Sequence, residues 1–331
     1  MDLSPGTAGT WVNKIGGDKV LPLIELLREA TFSPPFMHMD ESYLQVLKSE
    51  KAPTSTHYMV VRAAGPPGKR IILYDYIPSR TKEALKQLLV RPEGPYQGKQ
   101  LTDGLEHYDD ICRELKLLHF GCWQHARAYF FKARKVSQLP SSRTLANAAI
   151  DDYIRRVFAV EIEIETLRAQ YEQRGETLPL SAAHTLRQNK SAPVVRKFKE
   201  WVDQLLPATP PNSALGKALG YCTRQWPKLV LFLDHAEVPI HNNFVERQIK
   251  QYALGRKLWM FCYDKVGAQA SANLFSLVMT ARANGVEPFE YLSELFEQLP
   301  SATTLEEIEA LLPWNLKAVR EPQRKRQALG R

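Results

Sequence analysis

The sequence predicts an α/β fold in which helices flank a mixed sheet and an all-helical segment interrupts the sheet-forming core. Up to residue 136, short extended segments bounded by turn residues alternate with helical ones. From 137 to 226 only the roughly 3.6-residue period of amphipathic helices remains. With 331 residues, of which 44% are hydrophobic and 24% charged, the chain is long enough to fold into about two domains.

The first 30 residues are predicted to be helical. Ser4 is placed to cap a first helix that begins at Pro5 and is stopped by the Gly16 and Gly17 pair. A second helix is expected at 19–30. Extended segments are then predicted at 36–48, 58–64 and 70–76, and Pro66, Pro67 and Gly68 provide a turn between the last two.

The remainder of the first core segment, up to residue 136, alternates between helices and short strands. Ser79 is the expected cap of a helix that runs to about residue 90. The elements predicted after it are a strand at 99–102, a helix at 104–115, a strand at 117–120 and a helix at 123–136.

Residues 137–226 are predicted to form a separate helical insertion, with helices at 144–173, 180–189, 192–206 and 213–226. The apolar run at 229–233 is too short to distinguish a strand from a last helical turn. Residues 227–300 are expected to complete the core, with Asn243 beginning the helix that carries Glu246. A further helix is expected at 267–283, and two more begin near Pro288 and Thr303. Residues 301–331 are predicted to contain a C-terminal helix and, at 320–331, a basic tail.

The charge and the cysteine content of the sequence bear on which classes of protein it can belong to. Lys and Arg number 44 against 36 Asp and Glu, and the resulting net charge of +8 favours a polyanionic partner without specifying one. The four cysteines are scattered, form no CxxC pair, and indicate neither a disulfide framework nor a four-cysteine zinc site. The absence of a signal-like leader and of a membrane-length apolar run predicts a soluble, cytoplasmic protein.

Three acidic residues have unusual local contexts, and they are Asp40, Asp103 and Glu246. Strand alternation puts Asp40 and Glu41 on opposite faces, so only one of them can face a site. Asp103 follows a strand directly, where ligand sites of open sheets often lie. Carboxylates brought together repel one another and are tolerated when a hard cation such as Mg²⁺ binds their oxygens.

Each of these acids also has an ordinary structural interpretation. An Asp after a strand is commonly a turn former or a helix cap, and Glu246 could pair with Lys250 on the same helix face. Asp75, Asp109 and Asp110 are alternatives for the second carboxylate, since each lies near a strand end or a helix start. Spacing alone does not decide between these interpretations.

Basic and aromatic residues cluster at 122–132 and 254–261. Arg127, Arg247, Arg256 and Lys257 are suited to phosphate contacts, and Trp259 to stacking on an unpaired base. The alternative is that the aromatic residues belong to the core and that the charges form a solvated face. Cys122 and His125 have C-x-x-H spacing, but no second pair of ligands follows to complete a zinc site.

Several ordered motifs resemble those of the transposases of the insertion-sequence sixty-six family. The matching segments are 39–42 with 44–47, 74–76 with 78–80, 101–104 with Tyr108, 121–123 with 125–127, 240–247, 253–261, 284–286 with Pro288 and 291–292, and 311–315. The resemblance covers nearly the whole chain.

The resemblance implies a ribonuclease-H-like core in which Asp40, Asp103 and Glu246 form a DDE triad that binds two Mg²⁺ or Mn²⁺ ions. It implies cleavage of DNA and joining of the freed end to a target, carried out by a homo-oligomer assembled on DNA. Accessory proteins of the element are further partners that the resemblance allows. Arg127, Asn243, Arg247, Arg256 and Lys257 are the expected DNA-binding or site-supporting residues.

One departure from the family pattern concerns the N-terminal region. Family members usually carry a coiled segment, a cysteine-rich metal-binding unit and a helix-turn-helix ahead of the core, whereas this sequence begins at what resembles the recognition helix, 4–15. Residues 1–30 are therefore interpreted as a remnant of the helix-turn-helix with a linker helix. An inactive DNA-binding remnant and a nuclease that cuts without joining are the alternatives to a transposase.

Overall fold

A computed structural model of the protein describes residues 4–316. The helices are α1 (Pro5–Lys14), α2 (Leu21–Ala30), α3 (Lys82–Gln87), α4 (Glu106–Leu115), α5 (Trp123–Val136), α6 (Pro140–Ala148), α7 (Arg155–Gln173), α8 (Leu180–Leu186), α9 (Ala192–Leu205), α10 (Ala214–Leu229), α11 (Asn243–Trp259), α12 (Lys265–Ala283), α13 (Pro288–Gln298) and α14 (Leu305–Ala310). The strands are β1 (Phe36–Lys48), β2 (Thr56–Ala64), β3 (Ile71–Ile77), β4 (Val90–Arg91), β5 (Gly94–Pro95), β6 (Lys99–Leu101), β7 (Leu118–Phe120) and β8 (Cys262–Asp264).

These elements form two compact units. Unit one contains the residues up to Gly98, Arg113–Leu117 and the residues from Phe244 onward, and unit two contains Lys99–Cys112 and Leu118–Asn243. The basic tail predicted at 320–331 lies outside the described residues.

Unit one is built on a mixed sheet. Strand β2 pairs antiparallel with both β1 and β3, and β8 pairs parallel with β1. The mixed α/β architecture expected from the sequence is therefore confirmed. Strand β8 was not predicted, because a strand of three residues between two helices is too short to show alternation.

Helices cover both faces of this sheet. Ile72 and Tyr74 of β3 belong to one core cluster, with residues of α11 and α12. Ile71 and Leu73, which point to the opposite face, belong to another cluster with residues of α2, α13 and α14. Each face of the strand is thus buried, as the nearly continuous apolar sequence of β3 requires.

Helix α12 also lies along the backbone of β3. Its buried side chains Ser276, Thr280 and Asn284 form hydrogen bonds to the main chain of Tyr74, Ile72 and Arg70. Four helical residues rise about 6 Å and two strand residues span about 6.6 Å, so the two spacings match. The side chains of α12 therefore satisfy backbone groups that an edge strand would otherwise expose.

The N-terminal helices differ from the prediction at Gly16 and Gly17. The pair does not stop the first helix, since a π-helical turn at Ile15–Lys19 joins α1 to α2. A Cβ on Gly16 would lie 2.7 Å from the carbonyl oxygen of Ala270, and the amide of Asn273 donates to the Gly16 carbonyl. Gly16 thus permits close packing against α12.

The helix predicted at 79–90 is also shorter than expected. Thr81 is the N-cap of α3 and accepts a hydrogen bond from the backbone N–H of Ala84. The helix ends at Gln87, because Val90 and Arg91 pair with Gly94 and Pro95 in a two-stranded ribbon.

Unit two joins the parallel pair of strands β6 and β7 to a large helical body. Between Ser137 and Trp226 the regular elements are all helical. The aromatic-rich core of the unit packs α5, α6, α9 and α10 around Trp123 and Phe198. The ambiguous run at 229–233 is helical: α10 ends at Leu229 and a 3₁₀ turn spans Leu231–Leu233.

Candidate metal-binding carboxylates

Asp40 lies half-buried in β1, on the face of the sheet that carries α11 and α12. In the strand register, Asp40 is opposite Val61, and Val61 is opposite Tyr74. Both neighbours belong to the core cluster that includes Val245 and Tyr252 of α11. The backbone N–H of Glu41 donates to Asp40 Oδ1 at 2.8 Å, which fixes the orientation of this carboxylate.

Helix α11 follows the same face of β1. The ring of Phe244, near the start of the helix, lies 5.7 Å from that of His38, and Arg256, near its end, donates to Ser42 Oγ at 2.8 Å. His38, Asp40 and Ser42 alternate onto one side of the strand. Asp40 is therefore located between the two positions at which the helix touches this strand.

Glu41 points to the opposite face, as the alternation argument predicts. Its side chain is 3% exposed and accepts a hydrogen bond from Arg80 at 3.0 Å. In the same cross-strand row lies Asp75, which is 3% exposed and forms ion pairs with Arg62 at 2.8 Å and Arg28 at 3.5 Å. Asp75 thus neutralises the buried Arg62 and the half-buried Arg28, which is a structural role.

Glu246 lies half-buried in the first turn of α11. The backbone just before this helix is held within unit two, where Ile240 accepts from Trp123 N and Asn242 N donates to the Cys122 sulfur at 3.3 Å. An acidic residue in a first turn is also favoured by the helix dipole. The position of Glu246 is therefore compatible with both the structural and the metal-binding interpretation.

Asp103 forms the turn between β6 and α4. Its Oδ1 accepts the backbone N–H of Leu105 at 3.0 Å, and its carbonyl accepts the hydroxyl of Thr102 at 2.8 Å. The same hydroxyl oxygen lies 2.7 Å from His119 Nε2. The turn is therefore tied to β7 through a buried side-chain network.

The network ends at Asp109, one of the alternative second carboxylates. Asp109 Oδ1 lies 2.8 Å from His119 Nδ1 and accepts from Lys228 Nζ at 2.6 Å. Burial acts to raise the pKa of Asp109, but the hydrogen bonds from His119 and Lys228 outweigh it and lower the pKa to about 2. Burial lowers the pKa of His119, while its bond to Asp109 acts in the opposite direction. Asp109 is thus occupied by protein partners.

Sequence reasoning missed two further residues at the Asp103 turn, Tyr221 and Gln225 of α10. A Cβ on Gly104 would lie 3.0 Å from the ring of Tyr221 and 3.3 Å from Gln225 Nε2, so the turn rests directly on both side chains. Burial raises the pKa of the Tyr221 phenol, and nearby groups including Asp103 act in the same direction, so the phenol keeps its proton at neutral pH. Neither residue belongs to a recognisable motif, and only tertiary packing reveals them.

The proposed DNA-binding residues differ in their surroundings. Arg247 and Lys257 are exposed, and Asn243 is half-buried at the start of α11. Arg127 lies 4.8 Å from the centroid of Phe131, and Arg256 lies 3.7 Å from that of Tyr43. Trp259 packs edge-on against Tyr252 and Phe275, as the core interpretation of this aromatic residue predicts.

Each of the three carboxylates, taken singly, offers the type of ligand that a hard divalent cation binds. Asp40, Asp103 and Glu246 are each half-buried and offer oxygen ligands, the type that Mg²⁺ and Mn²⁺ prefer. The four cysteines are free thiols, and three of them are buried. Among the helices between residues 4 and 316, none combines the length and apolar character needed to cross a bilayer.

Comparison with known proteins identifies the family. The model described as "Transposase IS66 family" matches residues 1–270, and the "IS66 C-terminal element" matches residues 276–314. Similar relatives in Sinorhizobium fredii (strain NBRC 101917 / NGR234) include uncharacterized protein y4jD, which is 29% identical over 96% of this chain and 60% of its own length. Uncharacterized protein y4hP is 24% identical over 96% of this chain and 57% of its own length, so the chain spans somewhat more than half of these relatives. Because the two family models together cover nearly all of the sequence, the chain belongs to the IS66 transposase family.

Proposed function

We propose that this protein is a DDE-type DNA transposase with a ribonuclease-H-like core, in which Asp40, Asp103 and Glu246 bind the catalytic metal ions. Family membership supports the activity, and the location of Asp40 on the face followed by α11 supports the assignment most directly. The alternatives Asp75 and Asp109 are engaged in ion pairs with arginine or lysine. That contrast favours Asp103 over Asp75 and Asp109 as the second carboxylate.

Two Mg²⁺ or Mn²⁺ ions, when bound, would activate the attacking oxygen and stabilise the leaving oxygen of a phosphodiester. In this proposal Asp40, Asp103 and Glu246 would hold the ions through their carboxylate oxygens. The hydrogen bond from Glu41 N–H helps to fix the orientation of the Asp40 carboxylate. The hydroxyl of Thr102, which lies 2.7 Å from His119 Nε2, donates to the carbonyl of Asp103 and so restrains the backbone of that residue.

The reaction would proceed in two displacements. Water attacks the phosphorus at an end of the element, the bond from phosphorus to the 3′ oxygen breaks, and a 3′-hydroxyl and a 5′-phosphate result. That 3′-hydroxyl then attacks a target phosphodiester, which forms a new bond and releases a target 3′-hydroxyl. No covalent bond between protein and DNA is required.

The partners of this reaction are transposon-end and target DNA. Arg127, Arg247, Arg256 and Lys257 are proposed to contact phosphates, and Asn243 to support the site at the start of α11. A homo-oligomer assembled on DNA is proposed, and accessory proteins of the element are compatible with this scheme. The net charge of +8 favours association with a polyanion.

A strand-transfer assay tests the proposal. The purified chain is incubated with Mg²⁺ or Mn²⁺, a target plasmid and DNA duplexes that carry the ends of the element encoding it. Joined products are expected from the wild type and not from Asp40→Asn, Asp103→Asn or Glu246→Gln. Glu106→Gln, an exposed acid three residues from Asp103, is the matched control and should retain activity.

The outcomes separate the candidate functions. Cleaved but unjoined DNA from the wild type would indicate a nuclease of the same fold. Binding of the duplexes without either product would indicate an inactive remnant. Full activity in any of the three carboxylate variants would remove that residue from the metal site.

A further inference from the structure

One face of α10 is directed at the segment that contains Asp103. Tyr221, Gln225 and Lys228 follow one another at helical spacings of four and three residues, and so share this face. Lys228 bonds to Asp109, whereas Tyr221 and Gln225 meet the turn at Gly104. The middle of the helical unit thus supplies side chains to the immediate neighbourhood of a proposed metal ligand.

Two polar atoms on this face are buried without a hydrogen-bond partner among the described residues. They are the hydroxyl oxygen of Tyr221 and the Oε1 atom of Gln225, and the two residues are 5% and 6% exposed. Buried polar side-chain atoms are rarely left unpaired in proteins, and each such atom calls for an explanation such as a bound ion or water. The two residues lie on adjacent turns of one helix, and their side chains meet the turn that carries Asp103 through the Tyr221 ring and Gln225 Nε2.

The chemistry of these atoms defines the ligand that they can bind. The amide oxygen of Gln225 only accepts hydrogen bonds, the phenol of Tyr221 can accept or donate one, and ionised Asp103 only accepts. A phosphate oxygen is an acceptor and could satisfy the phenol alone. A hydrated divalent cation satisfies all three, since Mg²⁺ usually keeps several of its waters, and these donate hydrogen bonds strongly.

We infer that Tyr221 and Gln225 bind the water molecules of a divalent cation held by Asp103, through hydrogen bonds to the phenol oxygen and to the amide Oε1. The inference rests on the proposed function, because it takes Asp103 as a metal ligand. The two residues act through water and are positioning residues for the metal. The helical insertion would thereby take part in metal binding as well as in folding.

Direct binding of Mn²⁺ to the full chain tests this inference without DNA. Bound ion is measured from the loss of the electron paramagnetic resonance signal of free Mn²⁺ during titration. Tyr221→Phe removes one oxygen, and Tyr129→Phe is the matched control because Tyr129 stacks on Tyr221 at 4.6 Å yet is exposed. A loss of affinity of about ten-fold is expected for Tyr221→Phe, the lower end of the range for residues behind metal ligands. No change is expected for Tyr129→Phe.

Two substitutions of Gln225 are expected to change the affinity for Mn²⁺ in opposite directions. Gln225→Leu should weaken Mn²⁺ binding, while Gln225→Glu should tighten it, because a carboxylate accepts the same bonds and adds attraction for the cation. If the amide of Gln225 has only a structural role, Gln225→Glu should not tighten Mn²⁺ binding. If Gln225→Leu does not fold, the Tyr221→Phe and Gln225→Glu results still decide the question.

Asp103→Asn distinguishes failure of this inference from failure of the proposed function. Loss of Mn²⁺ binding in Asp103→Asn, with wild-type affinity in Tyr221→Phe and Gln225→Glu, would overturn the role of the α10 residues alone. Unchanged binding in Asp103→Asn would overturn the metal assignment and the inference with it. Weakened binding in Asp103→Asn and Tyr221→Phe, with tightened binding in Gln225→Glu, is the expected result.

Discussion

The hydroxyl group of Thr280 in α12 bridges both backbone groups of Ile72 in β3: it accepts the amide N–H at 3.0 Å and lies 3.1 Å from the carbonyl to which it donates. Ser276 and Asn284 lie one helical turn before and after Thr280. They accept hydrogen bonds from the backbone N–H groups of Tyr74 and Arg70, each of which is two residues from Ile72. A helix thus takes the place of a neighbouring strand along this edge. The arrangement holds in position the sheet that carries Asp40.

Replacement of Thr280 by valine should destabilise unit one. Valine has nearly the same shape but leaves the amide and the carbonyl of Ile72 without their buried partner, which costs about 1–3 kcal/mol. The thermal unfolding midpoint should fall, whereas Thr280→Ser, which keeps the hydroxyl, should remain close to the wild type. Equal stability of the valine and serine variants would contradict this account of the edge.

Gly16 and Gly17 provide a matched pair of substitutions. A Cβ at Gly16 would meet the backbone of Ala270 at 2.7 Å, whereas a Cβ at Gly17 would meet no atom within 4 Å. Gly16→Ala should therefore lower the unfolding midpoint. Gly17→Ala should raise it by the equivalent of roughly 0.5–1 kcal/mol, because alanine loses less backbone entropy. Similar effects of the two substitutions would show that local helix propensity, and not packing on α12, governs this segment.

Long elements of this fold could be predicted from the sequence. Helix α5 has the predicted bounds, α9 begins at the predicted residue, and α10 begins one residue later than predicted. Such elements contain several turns, so one misleading residue does not change the pattern. The distinction between helix and strand at 229–233 required the structure, because five apolar residues fit either element.

The errors are concentrated where non-local packing decides the structure. Strand β8 exists because Cys262 and Asp264 pair with β1, more than 200 residues earlier in the chain. Gly16 does not end a helix because it packs against Ala270. For the same reason the acidic motifs drew attention to Asp103, but not to Tyr221 and Gln225, which reach it only through the fold.

The Asp109 network predicts a specific pH dependence of stability. The pKa of Asp109 is lowered from 3.8 to about 2. The contribution of its ionised carboxylate to the free energy of unfolding is therefore present above about pH 4 and is lost as the pH falls toward 2. Asp109→Asn should therefore be less stable than the wild type at neutral pH, by about 1 kcal/mol once solvent screening of this partly exposed group is allowed for. Unfolding midpoints measured from pH 2 to pH 6 should show the difference disappearing at the acidic end. A difference that is constant over this range would mean that Asp109 is not stabilised by His119 and Lys228.

The last prediction separates DNA contacts from structural contacts among the basic residues. If Arg127, Arg247, Arg256 and Lys257 bind phosphates, each substitution by alanine should reduce the slope of log affinity against log salt concentration by about 0.9. Arg247 and Lys257 are exposed, so their variants should change the slope and leave the unfolding midpoint unaltered. Arg127 and Arg256 also stack on Phe131 and Tyr43, so their variants should lower the midpoint as well. A lower unfolding midpoint with an unchanged salt slope would show that an arginine has a structural role alone. Unchanged slopes in all four folded variants would mean that DNA binds elsewhere on the protein.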